Sequence, residues 1–115
     1  MRPIKLIKYK RDTIVKIGQP ADYPVKIVER LKKEFSKFAN IDKACLGWIH
    51  DPSTNVPPHL IIGLDMIGDI NPIIYAVNGT IEQFLKESDI VDFVKMDRNE
   101  GIVSYLSKTE PFYKR

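Results

Sequence analysis

Val25, Val28, Leu31, Phe35 and Phe38 recur at steps of three and four residues within "DYPVKIVERLKKEFSKF". That is the period of one buried helical face, and it predicts an amphipathic helix. Pro24 suits the first turn, where its missing N–H costs nothing, and Asp22 is the expected cap. Lys26, Glu29, Arg30, Lys33 and Lys37 fall on the opposite face, with Glu29 and Lys33 in the favourable order for an ion pair one turn apart. A second helical period runs through "NPIIYAVNGTIEQFLKES", where Ile73, Ile74, Val77, Ile81, Phe84 and Leu85 define the buried side. Asn71 is placed to cap it and Pro72 to occupy its first turn. Gly79 weakens its middle by roughly 1 kcal/mol relative to Ala, so a kink or a break into two helices is expected there.

Between and around these helices the period changes to two. "TIVKI" before Gly18 reads as a strand, and the preceding "IKLIKYK" either extends it or pairs with it. "DKACLGWIHD" alternates, with Ala44, Leu46 and Trp48 on one face and Cys45, Gly47 and Ile49 on the other. The polar loop "DPSTNVPP" joins it to a second apolar strand, "HLIIGLDMI", as a hairpin with a long connection. "DIVDFVKM" is a further strand, and "IVSYLSK" is read as one helical turn. The resulting order, strand–helix–strand–strand–helix–strand, predicts an α+β fold. We expect an antiparallel sheet with both helices on one face, in the βαββαβ ferredoxin-like split arrangement. With no internal repeat or long linker, residues 1–115 are expected to form one domain.

Composition narrows the class. Hydrophobic residues at 43% and charged residues at 29% describe a globular chain rather than a disordered one. No apolar run has the length needed to cross a membrane, and the N-terminus lacks the apolar segment of a signal peptide. The single cysteine, Cys45, cannot form an intramolecular disulfide. Together these predict a cytoplasmic protein. The net charge of +3 hides a polarity. Residues 1–43 carry 12 Lys/Arg against 5 Asp/Glu, whereas residues 44–100 carry 3 against 9. Either this steers the chain toward an oppositely charged partner or a second copy, or the halves interleave in space and average out.

Candidate chemistry is sparse. His50 and His59 flank the long loop and are placed to face one another across the hairpin, with Asp51 or Cys45 near enough to complete a metal site. However, no C-x-x-C or H-E-x-x-H spacing supports one, and two ordinary histidines at a hairpin mouth is the plainer reading. Cys45 lies mid-strand, as a structural thiol does. No G-x-S-x-G, phosphate-binding glycine loop or EF-hand spacing occurs, so no catalytic residue, cofactor or metal is assigned. Arg2, Lys5, Lys8, Lys10 and Arg11 are able to meet phosphates. Yet "HLIIGLDM" lacks the exposed aromatics with which sheet-based modules stack bases, and a basic edge that blocks aggregation is the preferred reading. The chain ends on "EPFYKR". Pro111 stops any preceding helix, and Phe112 and Tyr113 carry enough apolar area to dock the terminus on the domain, leaving Lys114 and Arg115 in water. If it does not dock, Phe112, Tyr113, Lys114 and Arg115 become candidate partner contacts.

"VKIGQPADYP", "ACLGW", "PPHLIIGLD", "VDFVKM" and the closing "PFYKR" arrive in an order that resembles the C-terminal domain of the bacterial enhanced serine sensitivity (SseB) family. The resemblance covers residues 14–115. Its most specific parts are Gly18, Pro20, Tyr23 and Pro24 before the first helix, and Pro111, Phe112 and Tyr113 at the end. Family members often carry an additional N-terminal domain that is not in this sequence, so a role divided between two domains does not transfer. The resemblance implies a bacterial cytoplasmic protein and supplies no catalytic residues. With no identifiable catalytic site, the expected function is a protein-binding or adaptor module rather than an enzyme, an immunity-type protein being one version, acting on an unidentified protein partner or a second copy. The alternative, motivated by the family name, is a small-molecule sensor or enzyme linked to serine and amino-acid metabolism.

Overall fold

A computed structural model describes residues 4–9, 13–85, 90–97 and 101–115, with side chains from Val15 onward within those ranges. The elements are strands β1 (Ile4–Tyr9) and β2 (Thr13–Gly18), helix α1 (Val25–Phe35), and strands β3 (Ile41–His50) and β4 (His59–Met66). Helix α2 (Asn71–Ile81) follows, then strand β5 (Val91–Lys95), helix α3 (Gly101–Ser107) and strand β6 (Tyr113–Lys114). The fold is α+β, and the sheet is mostly antiparallel.

Strand order is β1-β2-β3-β4-β5, with β6 beside β3. This corrects the ferredoxin-like expectation, in which the strands interleave. Both edges of β3 are occupied, one by β4 and the other by β2 opposite Trp48–His50 and by β6 opposite Lys43 and Ala44. No place remains for β5 within the sheet, so β5 joins outside β4. There it runs parallel, because α2 carries the chain back across the sheet before β5 begins. "IKLIKYK" takes the pairing option and forms a hairpin with β2.

Alternation along the strands divides the core into two layers, as the strand pattern requires. Ala44, Leu46, Leu60, Ile62, Leu64 and Met66 meet Ile27, Val28, Leu31 and Phe35 of α1 and Ile73, Val77 and Ile81 of α2. Val15, Ile17, Cys45, Ile49 and Ile61 meet Ile102 and Leu106 of α3 on the other face. The two long helices thus share one face as expected, and the stretch read as a single turn is a third helix covering the reverse side.

Two helix starts differ from expectation. Neither Asp22 nor Asn71 caps with its side chain. Asn71 is instead the first residue of α2, and its backbone N–H donates to the Asp69 carboxylate at 3.0 Å. Asp69 therefore satisfies one of the donors left open at the start of the helix. Gly79 lies within α2, and the change to a 3-10 turn comes at Glu82–Phe84.

The terminus is docked. The Phe112 N–H donates to the Ala44 carbonyl at 2.9 Å and the Arg115 N–H to that of Asp42 at 2.8 Å. The rings of Phe112 and Tyr113 lie 6.2 and 5.9 Å from that of Phe35. Lys114 is exposed, whereas the Arg115 guanidinium donates to the Ala39 carbonyl rather than standing free in water. Truncating Phe112 to Ala is expected to cost about 1–3 kcal/mol, read as a lower melting temperature. An unchanged melting temperature would show that the tail does not anchor the fold.

Candidate interaction surface

The residues first singled out go to different places. Phe112 and Tyr113 pack against the core, Lys114 ends β6, and Arg115 follows it. His50 and His59 do not meet. His59 pairs with Ile49, so it shares the α3 side of the sheet, and His50, one residue on, points to the α1–α2 side. His59 is held by two acceptors, the Pro57 carbonyl at 2.8 Å from Nδ1 and the Asp92 carboxylate at 2.7 Å from Nε2. The Asp51 carboxylate accepts from the Ser53 N–H at 2.9 Å and the Ser53 hydroxyl at 2.6 Å, shaping the loop. Among the described residues no group of three or more His, Cys, Asp or Glu stands where it would hold a metal. Burial pushes the Cys45 thiol up from its ordinary value, which disfavours the thiolate a nucleophile needs. The basic residues 2–11 lie outside the described side chains.

The glycines without a motif have a structural use. Gly47 and Gly63 sit on adjacent strands of the α3 face. A Cβ on Gly47 would come within 3.0 Å of Leu106 Cδ2, and one on Gly63 within 2.8 Å of Leu106 Cδ1. The missing side chains make the hollow into which α3 inserts Leu106.

What sets the opposite, helical face apart is the contrast between its two helices. On α1, Lys26, Arg30 and Lys33 follow at steps of four and three and form one row along the solvent side, and Lys37 lies in the turn just beyond the helix. Lys37 pairs with Glu34 at 3.1 Å and Lys32 with Glu29 at 3.3 Å. Lys26, Arg30 and Lys33 have no ion pair among the described residues. Helix α2 beside it, "NPIIYAVNGTI", has no charged residue at all. Ile73, Val77 and Ile81 are buried, while Pro72, Tyr75 and Gly79 face solvent. Tyr75 is 86% exposed, and a side chain at Gly79 would meet nothing within 4 Å. On the flank toward α1, Thr80 donates its hydroxyl to the Glu34 carboxylate at 3.1 Å and joins the helices into one surface. Single exposed apolar residues elsewhere, such as Trp48 and Val56, are ordinary. A solvent-facing helix without charge but with an aromatic at its centre is not, because charge depletion and exposed Tyr are the composition of a protein-binding surface.

Glu34 carries a pH signature of this surface. The hydrogen bond from Lys37 holds its carboxyl below the ordinary value of 4.5, with Thr80 and Arg30 adding to the effect against the opposing cost of burial. A carboxyl lowered in the folded state contributes stability above its unfolded value, and that contribution is lost as pH falls through the lower folded value. Glu34→Gln is therefore expected to flatten the stability–pH curve below about pH 4.5, leaving it unchanged in shape above. Urea titrations at several pH values check this, and an identical acid limb in both proteins would contradict it.

The structure defines a small α+β domain with the α1–α2 layer on one face of the sheet and α3 on the other. The SseB protein C-terminal domain family model matches residues 9–115, and the chain belongs to that family. Comparison with curated proteins gave no match, and comparison with solved structures gave none. Among the described residues no helix is long and apolar enough to cross a membrane.

Proposed function

We propose that the chain is a protein-binding, adaptor-type module of the bacterial cytoplasm that receives its partner on the α1–α2 layer. The observation that carries this reading is α2, a solvent-facing helix with no charge and with Tyr75 standing free at its middle. A surface kept for water alone carries charged residues, since these keep a surface soluble and unassociated, and α2 has none. The single cysteine, which leaves the chain without an internal disulfide, supports the cytoplasmic setting. An immunity-type role, covering a toxin by this face, is the specific version that a neighbouring toxin gene would favour.

Tyr75→Arg separates this reading from a structural one. The side chain is exposed, so stability is expected to change by no more than about 0.5 kcal/mol. Affinity capture from the native host, with the wild-type and the variant chain as baits, is expected to lose a stoichiometric partner with the variant. Equal capture by both baits, or none by either, would overturn the reading.

A further inference from the structure

We infer that the partner presents an acidic protein surface, with its carboxylates along the Lys26–Arg30–Lys33 row of α1 and an apolar side chain against Tyr75 and Gly79 of α2. This rests on the reading of the α1–α2 layer as a docking face and adds the chemistry of what docks there. Charge complementarity carries it. The row presents three cations along one helix side, none in a contact ion pair among the described residues and only Arg30 drawn electrostatically to a carboxylate, that of Glu34, while the adjoining helix presents no charge.

The arrangement favours a protein over a nucleic acid. Phosphate backbones are met by cations spread along their path, and affinity grows with the number neutralised. Here the carboxylates of Glu29 and Glu34 sit among the lysines, 3.3 and 3.1 Å from the Lys32 and Lys37 ammonium groups. They would repel a polyanion lying along α1. A protein surface carries carboxylates at discrete positions and places neutral or apolar groups opposite the rest. The uncharged half of the layer, with Pro72, Tyr75 and Gly79 outermost, matches that second requirement. Gly79 leaves space beside Tyr75 on the same side of the helix, one turn on, where an incoming apolar side chain finds room. Cations in such a rim steer association and choose the partner, while the aromatic holds it.

The test uses the whole chain and defined probes. Three fluorescent probes are titrated by anisotropy: an 18-residue amphipathic helical peptide with Glu on its polar face and Leu on the other, the same peptide with Lys for Glu, and an 18-nucleotide single-stranded DNA. The acidic peptide is expected to bind, and to weaken by about tenfold between 50 and 300 mM salt as the exposed charges are screened. Lys26→Glu/Lys33→Glu is expected to weaken it by about tenfold or more and Tyr75→Ala by several-fold, with circular dichroism showing both variants folded. Binding of the Lys peptide as tightly as the Glu peptide overturns the acidic-partner inference. So does no binding to the Glu peptide, or DNA binding that is equally tight and indifferent to Tyr75→Ala. A sedimenting dimer that Tyr75→Arg dissolves would make the occupant a second copy and overturn it too. If Tyr75→Arg abolishes capture from the host while the charge reversals leave it intact, the docking face stands and only its acidic partner is lost.

Discussion

Phe35→Ala is expected to lower stability by about 3–5 kcal/mol, the cost of emptying a large buried aromatic site. Phe35 is fully buried and ends α1 where three parts of the molecule converge. It packs in the layer between α1 and the sheet, and it is the ring on which both Phe112 and Tyr113 rest. Removing it takes away the helix anchor and the platform for the terminus together. The effect should therefore exceed that of Phe112→Ala. It should also be visible locally, as faster hydrogen exchange at the amides of Phe112 and Arg115, which bond to β3. Urea unfolding gives the first quantity and exchange the second. A loss below about 1 kcal/mol, with protected tail amides, would mean that Phe35 does not hold the tail.

The second large effect lies on the other side of the sheet. Gly63→Val must displace Leu106 Cδ1 and the Met96 sulfur, each 2.8 Å from the position of the new Cβ. Met96 is flexible and can yield, but Leu106 is fully buried at the centre of the α3 layer. Overpacking of this kind costs about 1–3 kcal/mol, and Leu106→Ala alone costs about 2–5 kcal/mol. In the double variant the valine occupies part of the space that the leucine vacates. The combined loss should then fall short of additivity by about 0.5–3 kcal/mol. Additive losses would mean that the glycines do not form the seat of Leu106.

Several elements were legible in the sequence because their side chains report directly on burial. Val28, Leu31 and Phe35 of the α1 stripe and the alternation of β3 mark the faces found in the structure, with Ala44, Leu46 and Trp48 on one and Cys45, Gly47 and Ile49 on the other. Val25 of the stripe, by contrast, is exposed at the start of the helix, and Ile27 is buried instead. The docked tail was legible too, since two aromatics after a proline have no reason to stay in water. Strand order was not. Periodicity states which face of a strand is buried, but not which neighbour it takes, and the occupation of β3's second edge by β2 and the distant β6 is a long-range event. The use of Gly47 and Gly63 was equally hidden, because a packing hollow is made by what is absent and depends on a leucine far along the chain. The two histidines illustrate the opposite error. Proximity across a hairpin loop drew attention to them, and a one-residue offset in register sent them to opposite faces. The helical surface had a readable signal that stripe-counting passes over. Tyr75 falls outside the apolar stripe, in a segment without a single charge, and asking which exposed positions lack charge would have found it.

The central claim is that the α1–α2 layer is where this domain meets another protein. Site-specific photocrosslinking in the native host tests it most directly, with a photoreactive phenylalanine analogue placed at Tyr75, at Gly79, or at Lys108 beyond α3 on the opposite side. The account predicts one discrete adduct from positions 75 and 79 and none from 108, with the partner residues crosslinked lying on an Asp- and Glu-rich surface. Adducts of equal yield from all three positions, or none from 75 and 79, would contradict it.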